Sequence, residues 1–160
     1  MTKADQYIDI MIEGLRKKIA LLDQIMESSR QLEQAASVSE MDLDQFKELL
    51  DEKDEYVSQI NQMDTGFQSL FDKVKEELHK NKQMHKPQIQ EMQQLIREIT
   101  DRTVQIQELE AKNQLLIEGQ FGKMRKNVHV AKQGMNVAQN YYKSMTKMNV
   151  VDSQFMDKRN

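Results

Sequence analysis

Apolar side chains recur along this chain at alternating steps of three and four. One run is Ile8, Met11, Leu15, Ile19, Leu22, Ile25 and Leu32. A second is Leu43, Phe46, Leu50, Val57, Ile60, Phe67, Phe71, Val74 and Leu78, and a third is Ile89, Met92, Ile96, Ile99, Thr103, Ile106 and Leu109. Such steps hold side chains on one stripe of an α-helix. The stripes predict helices over 5–35, 40–82 and 87–148, followed by a tail over 149–160. Pro87, the only proline, separates the second and third stripes. Proline cannot continue a helix but suits its first turn, where N–H groups have no intrahelical partner. The turn therefore falls near 81–86. The expected fold is all-α: one domain over 1–160, an elongated antiparallel hairpin or coiled coil of three long helices with an extended C-terminal end and tail.

Local signals refine the elements. Ser39 is a candidate N-cap for the second helix, with Glu40 and Asp42 at the positive end of its dipole and Val38 and Leu43 spaced as a hydrophobic staple. Lys53 and Asp64 interrupt the second stripe and read as solvated weak points. In the third helix the stripe passes through Asn113, Ile117 and Phe121 in successive steps of four, a stutter that unwinds a coiled coil. Gly119 and Gly122 lie inside it and place an expected kink at 119–122. With the turn near residue 85, Phe71 faces Ile99, Leu78 faces Met92 and Phe46 faces Met124. The third helix then outruns its partners beyond Lys132. The overhang carries Met135, Ala138, Tyr141, Tyr142, Met145 and Met148, and would project roughly 25 Å at 1.5 Å per residue. Val151 and Phe155 continue the apolar pattern into the tail. An uncovered apolar stripe marks an interaction surface. Those eight residues are the candidate partner-binding set; pairing in a homodimer and a fold-back at the glycines are the alternatives.

Composition narrows the function classes. Five Gly and one Pro are too few for a turn-rich sheet protein. With no Cys there is neither a disulfide framework nor a cysteine metal site. The first residues lack the layout of a signal peptide, and no apolar run approaches the roughly 20 residues of a membrane span. A soluble cytoplasmic protein without stable membrane insertion is expected. The net charge of −3 hides an asymmetry: residues 40–78 hold twelve acidic and four basic side chains, residues 121–160 eight basic and two acidic. Folding the hairpin sets the acidic start of the second helix beside Lys123, Arg125 and Lys126, so an internal explanation suffices. The lysines form no nucleic-acid reading motif, and no nucleic acid is expected. His79, His85 and His129 make no helical ligand pair. No metal, cofactor, catalytic residue or enzymatic activity is expected. Twelve Met residues, several of them late, suit a surface that repacks around different partners.

Two stretches carry a family resemblance. Glu48 to Glu55, followed by Ile60 and Met63-Asp64-Thr65-Gly66-Phe67, is similar to the second helix of FlgN-type flagellar export chaperones of Gram-positive bacteria. Ala138 to Lys143, with Asp152 to Asp157, resembles their C-termini. The resemblance implies an all-helical cytoplasmic protein, without enzymatic activity, that holds hook–filament junction proteins and delivers them to the flagellar type III export gate. It also implies client contact through the C-terminal helix, and gate docking through a tyrosine there, either Tyr141 or Tyr142. FliT-type chaperones of the filament cap and a structural coiled-coil scaffold are the alternatives.

Overall fold

The computed structural model describes residues 2–124 and 128–146, with the backbone alone for 128–131 and 146. Four helices account for almost all of them: α1 (Lys3–Ala36), α2 (Leu43–Lys80), α3 (Lys86–Lys123) and α4 (Val128–Thr146). No strand occurs among the described residues. Thr2 caps α1 in a capping box: its hydroxyl accepts from the Asp5 N–H and the Asp5 carboxylate accepts from the Thr2 N–H. Pro87 lies in the first turn of α3.

The cap of α2 is Asp42 rather than Ser39. Its carboxylate accepts from the N–H groups of Asp44 and Gln45 at 3.0 and 3.3 Å. The staple positions of that cap are Met41 and Phe46, both buried, whereas Val38 is exposed. Starting the helix later buries the larger side chain.

Cross-helix pairs define the topology. Arg102 meets Asp23 at 2.8 Å and Lys112 meets Glu33 at 3.2 Å, so α1 and α3 run parallel. Lys18 meets Asp64 at 2.6 Å, and farther along α1 Ser29 shares Glu110 with the earlier Lys53, so α1 and α2 run antiparallel. Phe46 packs edge-on against Phe121, with ring centroids 5.4 Å apart, so α2 and α3 also run antiparallel. Phe46 thus meets Phe121, three residues short of the Met124 that a turn centred on residue 85 would set opposite it. The closest backbone packing is of α1 against both α2 and α3, so the first helix is the centre of the bundle. Phe71 and Ile99 are both buried, as the stripes require.

At the turn, His85 is buried. Its Nε2 lies 3.3 Å from Glu77 and its Nδ1 3.5 Å from Asp5, tying the α2–α3 connection to the start of α1.

The expected overhang is not formed. Helix α3 continues through Gly119 and Gly122 and ends at Lys123, and α4 folds back against α2 and α3. The helix is thus unbroken at 119–122, and the chain reverses only after Lys123. Fold-back removes from water the apolar stripe that a projecting helix would expose. The charge pairing expected of Arg125 and Lys126 lies outside the described residues, and Lys123 forms no ion pair among them. Elsewhere, cross-helix ion pairs join α1 to both neighbours: Arg16 to Glu91, Lys18 to Asp64, Arg102 to Asp23 and Lys112 to Glu33.

Candidate partner-binding face of the C-terminal helix

Helix α4 is amphipathic in the simplest sense. Lys132, Gln133, Asn136, Gln139, Asn140 and Lys143 are exposed, while Ala138, Tyr141, Tyr142 and Met145 are buried and Met135 and Val137 half-buried. The spacing 138, 141, 142, 145 keeps the buried set on one stripe. The fold thus brings together five of the eight candidate binding residues, Met135 at the edge, but turns their stripe inward. Met148, Val151 and Phe155 lie outside the described residues.

Two features fix where α4 sits. A Cβ on Gly134 would overlap the Phe121 ring, so the missing side chain is what lets α4 approach the end of α3. Farther along, Tyr141 places its ring under Lys53 Nζ, 4.6 Å from the centroid, in a cation–π contact. Tyr142 packs edge-on to Tyr141 at 5.1 Å between centroids. The Tyr141 hydroxyl donates to Met145 Sδ at 3.7 Å, whereas the Tyr142 hydroxyl is buried with no hydrogen-bond partner among the described residues.

Beneath Tyr141 lies a buried polar layer. Lys53 donates to Glu110, as does the hydroxyl of Ser29, and Asn113 Nδ2 donates to the Ser29 carbonyl at 2.9 Å. All four side chains are buried. Lys53 is therefore a paired ion where all four helices meet, not a solvated weak point. Asp64, the other stripe interruption, is partly buried and paired with the buried Lys18. Burial pushes the Lys53 ammonium below the ordinary lysine range, opposed by the Glu110 charge. Lys18 shifts down and Asp64 up, again through burial first, with each other's charge opposing. Burial, with Glu110 beside it, drives the Tyr141 phenol well above its usual value, and Tyr142 follows for the same reasons.

Sequence reading missed the partners of Lys53. A signal existed: Lys53 falls in the stripe between Leu50 and Val57, and Asn113 and Glu110 fall where the third stripe stutters. Polar residues at stripe positions on two helices point to each other when buried charge must be paired.

Chemistry finds little footing elsewhere. Among the described residues, no three His, Asp or Glu side chains cluster as metal ligands, and no helix is long and apolar enough to cross a membrane. The arrangement is one for holding helices. A family model described as FlgN protein matches residues 1–149. No curated protein and no solved structure matches the chain.

Proposed function

The chain belongs to the FlgN family of flagellar export chaperones, and from that premise we propose that it binds hook–filament junction proteins in the cytoplasm and delivers them to the flagellar type III export gate. The reading is of a binding protein without enzymatic activity. Its client site is the apolar stripe of α4, Met135, Ala138, Tyr141, Tyr142 and Met145, extended by Met148, Val151 and Phe155. One observation carries the assignment. The stripe is apolar enough to need a cover, yet the cover it has leaves the Tyr142 hydroxyl buried without a partner among the described residues. An unmet buried hydroxyl costs roughly 1–3 kcal/mol, which a client that satisfies it would recover. Because the stripe faces α2 and α3, engagement requires α4 to lift from them. Tyr141 and Tyr142 are then freed together, one or both available to the gate.

Titration calorimetry with a C-terminal helical fragment of a junction protein tests this. Tyr142→Ala and Met145→Ala should weaken binding at least tenfold, and Lys143→Ala, on the exposed face, should change it little, since aromatic and apolar anchors dominate interfaces. Undiminished binding by both apolar variants would move the client site off α4.

A further inference from the structure

The α2–α3 face that α4 covers continues beyond the end of α4. Near that end, Val57, Asn61 and Thr65 of α2 line a shallow cleft beside Ser144. Whole heptads farther along α2 come Phe71 and Leu78 from Val57, Lys75 from Asn61, and His79 from Thr65, with Lys82 just beyond the end of the helix. On α3, Ile89, Gln90 and Gln93 face them. Heptad spacing holds a residue class on one side of a packed helix. These positions line a single groove of about 220 Å³ at the turn end of the bundle, with Lys86 and Gln83 completing it.

The groove has a definite chemistry. Its floor is the half-buried Ile89 with the accessible edges of Phe71 and Leu78, which are otherwise buried in the core; its rim is Lys75, His79, Lys82 and Lys86, and no carboxylate among the described residues lines it. Lys75 engages Asp72 at 3.8 Å, so the charge offered to a visitor is chiefly that of Lys82 and Lys86, neither of which has an ion-pair partner among the described residues. The volume is below the roughly 300–1,000 Å³ of small-molecule sites and suits a few apolar side chains of a helix. We propose that this groove seats an acidic amphipathic helix of a partner protein, its apolar residues on the floor and its carboxylates over Lys82 and Lys86.

Charge decides among the occupants. The chain's own residues 147–160 carry Lys147, Lys158 and Arg159 against Asp152 and Asp157, a net positive charge of the wrong sign. A second copy docked about a two-fold axis would set two lysine rims against each other. An acidic helix meets neither obstacle. The site lies at the opposite end of the bundle from Gly134 and goes beyond the client reading, so its failure leaves that reading intact.

The test uses the full chain and two fluorescein-labelled helical peptides with one leucine seam, flanked in one by Glu and in the other by Lys. Fluorescence anisotropy should show binding of the Glu peptide, at least tenfold weaker for the Lys peptide. Lys82→Glu with Lys86→Glu should weaken the Glu peptide at least tenfold; both positions are exposed, and circular dichroism checks that the variant keeps its helices. Raised salt should act in the same direction. Equal binding of the two peptides, no binding of either, or indifference to the charge reversal overturns the proposal. So does displacement of the Glu peptide by a synthetic 147–160 peptide, which assigns the groove to the chain's own end. A dimer dissolved by the charge reversal in sedimentation would assign the groove to a second copy and equally overturn the proposal.

Discussion

Removing the ammonium of Lys53 would strand Glu110 in the interior, with the Ser29 hydroxyl left to satisfy it. Lys53→Ala should therefore destabilise the protein by about 3–5 kcal/mol in urea unfolding. Replacing both ions by apolar residues of similar volume, Lys53→Met with Glu110→Leu, should recover most of that loss, because neither charge then remains to be desolvated. A comparable loss in both variants would show that the pair is not the source. Phe71→Ala, at a buried stripe position, should cost about 3–5 kcal/mol. The stripes were legible at this scale because apolar period reports burial directly. The ion pair was not, because a lone lysine in a stripe looks the same whether water or a carboxylate from another stripe receives it.

Helix α4 answers to Gly134. Gly66, Gly14 and Gly119 have nothing within contact distance of an added Cβ, so Gly66→Ala should stabilise the protein by about 0.5–1 kcal/mol through helix propensity. Gly134→Ala should do the reverse at α4, since the Phe121 ring it would meet is already held against Phe46. Alkaline titration followed at the tyrosinate absorbance reads the docking. Tyr141 and Tyr142 should stay protonated above pH 10 while α4 is docked. The native state then keeps protons that the unfolded chain releases, so the stability these phenols contribute is present below about pH 10 and lost as pH rises beyond it. Compared with Tyr141→Phe, the wild type should lose stability faster above that pH; parallel curves would mean an exposed phenol. In Gly134→Ala both tyrosines should titrate nearer pH 10. Helix existence and the turn at Pro87 were readable from sequence. The reversal after Lys123 was not, because no proline marks it and the two glycines before it stay helical.

At the scale of the molecule, fold-back sets length. Helices of 38 residues, α2 and α3 alike, span about 57 Å, whereas α3 and α4 run end to end would approach roughly 90 Å. Small-angle scattering should find the shorter particle for the free chain, with an increase when a client lifts α4. The parallel pairing of α1 with α3 has one more effect, in the order of synthesis. Ser29 and Lys53 leave the ribosome 81 and 57 residues ahead of the Glu110 that satisfies them. Until then the nascent α1–α2 hairpin carries an unneutralised ammonium on the face it must later close. Long-range partners of this kind delay closure, so the growing chain holds an open, cationic seam until its third helix emerges.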